Sequence, residues 1–360
     1  MDRKYNFYAG PSTLPFPVLE ELQQEMLNYQ GLGLSLIETS HRSPEYDQVH
    51  NEALSLVKEL LALPDNYKVL FLQGGATMQF SMVPMNFLGQ GKTADYINTG
   101  AWAKKAIEDA KLYGDVSVVW DGKSTNYMTL PKSQDLSLNP KAEYVHVTSN
   151  ETIGGVQWKE FPQSSTPLVA DMSSDIMSRP LPIDQFGLIY AGAQKNLGPS
   201  GVTLVIIRED LLAKENQGVG AYLKYSTHAE SDSLYNTPPV FGIYALGKVL
   251  KYLKGLGGLP AVQKANEAKA TLVYDAIEKA KDFYTCPVDP NYRSTMNIVF
   301  TLTNPELDKA FLKGTEELGM LGLKGHRSVG GFRASLYNAM PLEGAKALAQ
   351  YMTEFAKKNG

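Results

Sequence analysis

Residues 190 to 201 read Tyr-Ala-Gly-Ala-Gln-Lys-Asn-Leu-Gly-Pro-Ser-Gly and carry one amine, Lys195, between two apolar runs. The run 187–191 leads in and the β-branched run 202–207 leads out, so the spacing predicts a loop between two buried strands. Lysine is almost never fully buried unless paired. Gly192, Gly198, Pro199 and Gly201 shape a connection in which backbone can approach a ligand closely. A lysine held there is a candidate nucleophile toward a carbonyl carbon. The alternative is a surface hairpin whose lysine extends into water.

Four further features could serve the same chemistry. Leu70-Phe-Leu-Gln-Gly-Gly-Ala-Thr-Met78 reads as strand, glycine turn and helix start, which aims free N–H groups and the Thr77 hydroxyl at an anion. Alone it reads first as a simple helix cap, being neither a Walker loop nor a dinucleotide fingerprint. Asp171 closes the apolar run 167–170, where a partly desolvated carboxylate wants a cation, or else caps a turn. Trp102 offers a flat face for stacking, although most tryptophans are core. Thr152 places a hydroxyl beside the flexible pair Gly154-Gly155.

Together these residues describe a site for a phosphorylated pyridine aldehyde, pyridoxal phosphate: an anion cradle, a stacking ring, a carboxylate for the ring nitrogen and an amine for the aldehyde. The aspartate would keep the ring nitrogen protonated, so that the ring can take up the electrons of a carbanion.

The elements that must hold them alternate along the chain. Helical periodicity covers 19–29, 45–62 and 77–87; short strands read at 68–72, 116–120, 144–148, 167–170, 188–191 and 202–207. That alternation predicts an α/β domain on a mostly parallel sheet, in which ligands bind off the carboxyl ends of strands. A glycine-rich break at 253–260 precedes a long amphipathic helix at 261–281 and a second pattern: strand 296–302, helix from Pro305, strand 331–336 and a helix from Leu342. This reads as an α+β module of roughly domain size, with a cleft expected between the two. The chain of 360 residues is 43% hydrophobic, ordinary for a globular protein of two domains. Its net charge of −4 argues against general nucleic-acid binding. The single cysteine, Cys286, excludes an internal disulfide and any multi-cysteine metal site and fits a reducing, cytoplasmic home; no metal is expected. There is no apolar run of membrane-spanning or signal-peptide length.

The motifs Phe7–Pro15, Ser40–Arg42, Gln73–Thr77, Ala193–Asn196, Tyr235–Pro239 and Gly325–Pro341 together resemble the phosphoserine aminotransferase family, within the class V, fold-type I enzymes. The resemblance runs from the first ten residues to the last twenty. It implies a large α/β domain at 16–262, with a mostly parallel seven-stranded sheet between helices, and a small α+β domain formed by 1–15 and 263–360. It implies a homodimer with active sites at the subunit interface and one pyridoxal 5'-phosphate per subunit, in Schiff-base linkage to Lys195. Ala76 and Thr77 would lie at the cofactor phosphate, Trp102 over the ring, Thr152 at the phenolic oxygen, Asp171 at the ring nitrogen and Gln194 beside the lysine. Asn236 and Thr237 would reach the same phosphate from the other subunit. Some family members carry arginine where this chain has Thr77, and this chain resembles the branch with a small hydroxyl residue.

The implied substrates, L-glutamate and 3-phosphohydroxypyruvate, carry a carboxylate at the reacting end and an anion at the far end. They would yield O-phospho-L-serine and 2-oxoglutarate, in serine biosynthesis. Arg333 would hold the α-carboxylate bidentately, and His41, Arg42, His326 and Arg327 the distal anion. The family also includes activity that forms 4-phosphohydroxythreonine in vitamin B6 synthesis, and no residue here decides that. Three other readings compete. A cysteine desulfurase would use Cys286, although cysteine is more often a small buried hydrophobe. Alanine-glyoxylate or serine-type transamination would leave the His-Arg turns unpaired. A non-catalytic scaffold would have no need of Lys195 beside Asp171.

Overall fold

The computed structural model describes residues 3–360. In chain order its elements are β1 (Tyr5–Asn6), α1 (Phe16–Glu25), α2 (Pro44–Leu60), β2 (Tyr67–Leu72), α3 (Gly75–Phe87), β3 (Thr93–Asn98), α4 (Ala101–Ala110), β4 (Asp115–Asp121), β5 (Val145–Thr148), β6 (Leu168–Asp171), β7 (Phe186–Gly192) and β8 (Thr203–Arg208). They continue as α5 (Glu209–Leu212), α6 (Tyr225–Glu230), α7 (Val240–Gly255), α8 (Gly258–Lys279), β9 (Tyr284–Thr285), β10 (Asn297–Leu302), α9 (Asp308–Glu317), β11 (Met320–Leu321), β12 (Phe332–Ser335) and α10 (Leu342–Asn359).

Seven strands form one sheet in the order β2-β8-β7-β6-β5-β3-β4. Only β8 runs against the others; β7, β6, β5, β3 and β4 pair in parallel. Alternate side chains on each strand enter opposite cores, as a pleat buried on both faces requires. Val69, Phe71, Ile189 and Ala191 join α1, α2 and α7 on one face. Leu70, Leu72, Leu188 and Tyr190 join α3 and α4 on the other. Because the site-bearing strands are parallel, the carboxyl ends of β2, β3, β5, β6 and β7 share one edge, and the candidate residues follow those ends.

A third core holds Phe7 with residues of 270–352 around the antiparallel order β12-β10-β9, and β1 pairs in parallel with β11. Helix α8 crosses between the cores: Leu259 and Val262 pack in the first, Ala270, Val273 and Ile277 in the third. The 262/263 position therefore falls inside one continuous helix.

Local differences from the sequence reading have physical causes. Helix α1 stops at Glu25, because the Asn28 side chain accepts Gly33 N–H at 2.7 Å and closes a turn. The break at 253–260 is a corner at Gly257 (φ +102°), and α8 begins at Gly258. The short elements β1, α5, α6, β9 and β11 lie outside that reading, and so do three longer ones, β3, α4 and α7. The polar residues Asp95 and Asn98 interrupt the apolar pattern of β3; Asp95 Oδ2 accepts Asn139 N–H at 2.6 Å, while its Oδ1 is buried without a partner. Helix α4 follows it. Helix α7 is buried along most of its length, so it lacks a polar face to reveal its period.

A buried polar network ties the two modules together. Asn297 on β10 donates to Ser335 Oγ (3.0 Å) and Tyr337 OH (3.2 Å) and accepts from Asn150 Nδ2 (2.8 Å). Tyr337 OH in turn donates to Ala9 O at 2.7 Å. Leucine at 297 would keep the branched shape but remove one partner each from Ser335, Tyr337 and Asn150 in a buried setting. Asn297→Leu is therefore expected to cost about 2–3 kcal/mol of unfolding free energy, read as a lower urea midpoint with unchanged slope.

Candidate active site

A cavity of about 630 Å³ opens at the carboxyl edge of the sheet. Its walls include Gly10, Ala76, Thr77, Trp102, Thr152, Asp171, Gln194, Lys195, His326 and Arg333. Of the expected site residues, this chain thus gathers nine around one space. His41 and Arg42 lie on the exposed turn before α2, Arg327 on the exposed 326–330 turn, and Asn236 and Thr237 in the segment before α7; none lines the cavity.

Lys195 is fixed from its backbone outward. The turn after β7 closes with Leu197 and Gly198 N–H donating to Ala193 O at 3.0 and 2.9 Å. Ser12 N–H donates to Gln194 O at 2.9 Å, and the Ser12 hydroxyl donates to Lys195 O. Gly10, at φ +143°, passes the lysine stem within ordinary contact distance, and that backbone conformation rather than lack of space favours glycine there. The amine donates to Thr152 Oγ1 at 2.7 Å and lies 5.6 Å from the centre of the Trp102 ring. Burial lowers Lys195 to about 8; Asp171 opposes that fall and Arg333 adds to it. The neutral amine, the nucleophilic form, is thus reached near neutral pH.

Asp171 ends β6, with its Oδ1 accepting Ser173 N–H at 2.9 Å. Burial raises its pKa, opposed by the Ser173 hydrogen bonds and by Lys195. At the other end, Gly74 (φ +90°) turns the chain from β2 into α3, and a Cβ there would stand 2.5 Å from Met78 Cβ. No side chain caps this helix, and its first ladder bond is Met78 N–H to Gly74 O at 3.3 Å. The N–H groups of 75–77 therefore precede the ladder, beside the cavity, as an anion cradle.

Arg333 reaches the cavity from β12 and donates through Nη1 to Thr152 O at 3.2 Å. Among the described residues it has no carboxylate within ion-pair distance. His326 has a lowered pKa, through burial first and then the positive charges of Arg333, Arg327 and Lys105. The wall formed by the 326–333 segment is thus cationic, suited to anions that arrive from water.

Several residues that line or support the cavity carry no signal strong enough to single them out in the sequence. Thr148, Asn150, Ser173 and Ser174 line it, and Glu151 lies buried behind it. Serine and asparagine near strand ends are ordinary, and no local pattern sets these apart. Thr148 Oγ1 and Trp102 Nε1 are buried without a partner, so the cavity keeps polar atoms that a ligand could satisfy. Cys286 lines none of this cavity, and burial raises its thiol pKa.

The model of the family described as Aminotransferase class-V matches residues 4–348. The phosphoserine aminotransferase of Niallia circulans is 55% identical over 359 residues, covering 99% of each chain. A solved phosphoserine aminotransferase from Bacillus circulans subsp. alkalophilus superimposes with a TM-score of 0.98 at 55% identity over 100% of both chains. The PLP-bound phosphoserine aminotransferase from Trichomonas vaginalis gives 0.92 at 38% identity, over 97% of this chain and 99% of that one.

The charges around Lys195 can be separated experimentally. Asp171→Asn should lower the amine's titration midpoint below about 8, and Arg333→Gln should raise it. Peptide-level mass spectrometry of acylation against pH, on protein freed of cofactor, reads both shifts.

Proposed function

The chain belongs to the class-V aminotransferase family, and on that premise we propose how its residues carry out amino transfer. The protein is a pyridoxal-phosphate-dependent enzyme that moves the amino group of L-glutamate to 3-phosphohydroxypyruvate, giving O-phospho-L-serine and 2-oxoglutarate in serine biosynthesis. The single observation that carries the residue assignment is one cavity joining Lys195, Asp171, Trp102, Arg333 and an uncapped helix N-terminus.

These residues fit the cofactor. The N–H groups of Ala76 and Thr77 would hold its phosphate, Trp102 would cover its ring, Asp171 would face the ring nitrogen and Lys195 the aldehyde; the orphaned Thr148 hydroxyl is a polar atom such a ligand could use. Bound there, pyridoxal phosphate supplies an electrophilic carbon for amines and a ring that takes up the electron pair left at the substrate Cα. The chain supplies the rest. Lys195 Nζ, with its pKa lowered to about 8, would take the proton from Cα as a general base and deliver it as a general acid to the cofactor carbon that carries the nitrogen. Thr152 Oγ1 aims that amine. Asp171 holds a positive charge at the deep end of the site. Arg333, free of any carboxylate of its own, binds the substrate α-carboxylate.

A second anion must be bound at the far end of both substrates, and His41, Arg42, His326 and Arg327 are assigned to it. His326 borders the cavity of its own chain. His41 and Arg42 follow a segment that exposes Leu27, Leu32, Leu34 and Ile37, and Asn236 and Thr237 follow the exposed Tyr222 and Tyr235. Apolar residues exposed beside unused polar ones are what a subunit contact would cover. A homodimer, with those four polar residues completing the partner's cavity, is the assembly this supports. The small unit is assigned to 1–15 and 263–360, after the shared core around Phe7. Among the described residues no helix is long and apolar enough to cross a membrane, and we place the reaction in the cytoplasm.

Steady-state assays test the assignment. Lys195→Ala should lose about 10⁴-fold in kcat, and Arg333→Gln about 10²-fold or more in kcat/KM for both substrates. Pyruvate and glyoxylate, lacking a distal anion, should be poor acceptors; transfer to pyruvate at the rate of 3-phosphohydroxypyruvate would overturn the distal-anion reading.

A further inference from the structure

The roles assigned above leave one buried charge beside the cavity without a task. Glu151 is 1% exposed, in the loop after β5. Its Oε1 accepts Ala103 N–H at 3.0 Å and the Thr99 hydroxyl at 3.4 Å, and its Oε2 accepts Trp102 N–H at 3.2 Å. Trp102 and Ala103 lie in the first turn of α4, whose own N-cap, Gly100, provides no side-chain bond. Glu151 therefore satisfies orphan N–H groups of that helix from a loop far away in sequence, with its negative charge at the positive helix end. Gly100 is shaped to admit it, since a Cβ there would stand 2.7 Å from Glu151 Cδ.

The same residue anchors the opposite wall. Glu151 N–H donates to Val156 O at 2.9 Å, and Glu151 O accepts Gly155 N–H at 2.8 Å. Between these bonds stands Thr152, whose hydroxyl accepts from Lys195 Nζ and whose carbonyl accepts from Arg333 Nη1. One residue thus joins the helix that carries Trp102 to the loop that holds Lys195 and Arg333.

We propose that Glu151 is a positioning residue: its carboxylate sets the separation between the Trp102 ring and the Thr152–Lys195–Arg333 wall, and so the width of the slot that receives the cofactor ring. This rests on the cofactor reading given above. Keeping a carboxylate there is costly. Burial pushes Glu151 up to about 7 with help from Asp171, while the two N–H groups and Lys195 pull it down. A buried glutamine or an apolar residue would escape that penalty but could not accept from both N–H groups through two separate oxygens, so the carboxyl geometry is what the site retains.

Equilibrium dialysis of pyridoxal phosphate against four cofactor-free proteins tests the idea: wild type, Glu151→Ala, Trp102→Ala and the double variant. Each single change should weaken binding about tenfold, and the double variant should be no weaker than Trp102→Ala within about twofold, because Glu151 acts through the ring. Gly100→Val, which keeps Glu151 but drives its carboxylate aside, should reproduce the Glu151→Ala loss and serves if that variant fails to fold. Wild-type affinity in both Glu151→Ala and Gly100→Val, or a double variant about 100-fold weaker than wild type, would overturn the proposal while leaving the cofactor reading intact. A wild-type protein that takes up no pyridoxal phosphate would overturn both.

Discussion

A half-buried amine in the wall of an open cavity, with no carboxylate in contact, is the constraint around which this molecule is built. A fall from 10.5 to about 8 for Lys195 corresponds to about 3 kcal/mol by which its charged form is disfavoured. Such a group stays where it is only if its backbone cannot move. The turn at 193–198, the N-terminal strap through Ser12, and Asn196, which donates to Ile176 O at 3.1 Å and accepts Asn338 N–H at 3.0 Å, supply that rigidity. They come from three distant stretches of chain, so the lysine's reactivity is a property of the whole fold.

The charges of the site are graded. Arg333 presents positive charge on one wall, with the neutral imidazole of His326 beside it, while Asp171 and Glu151 hold the carboxylates on the other side. An anionic substrate is drawn toward the guanidinium, and the proton-handling amine sits between the two signs. Arg333 belongs to the module of β10 and β12, and Lys195 to the large sheet. The Asn150–Asn297–Tyr337 network therefore does chemical as well as structural service, because it keeps the carboxylate clamp in register with the amine.

Much of this was legible in the sequence because loop glycines and strand-end residues report directly on backbone geometry. Lys195 between two apolar runs, Asp171 closing a third, and Gly74-Gly75 after β2 each mark a strand's carboxyl end, and a parallel sheet brings such ends to one edge. Glu151 escaped notice, since its partners Trp102 and Ala103 lie 49 and 48 residues away and no local pattern encodes that contact. Strand β3 was hidden by Asp95, whose one hydrogen bond, from Asn139 N–H, is equally non-local. Helix α7 was hidden for the opposite reason, being too apolar to show a period. His41, Arg42, Asn236 and Thr237 carry sequence motifs but stand away from this chain's cavity, so their use depends on what covers the exposed segments beside them.

The central claim is that one cavity serves two anionic partners in turn, with the amino group stored in between. The direct measurement is product stoichiometry in separated half-reactions. Protein saturated with pyridoxal phosphate is mixed with L-glutamate alone, freed of small molecules, and then given 3-phosphohydroxypyruvate alone. The account requires about one equivalent of 2-oxoglutarate per subunit in the first step and a matching amount of O-phosphoserine in the second. A protein that releases no 2-oxoglutarate until both substrates are present would contradict it.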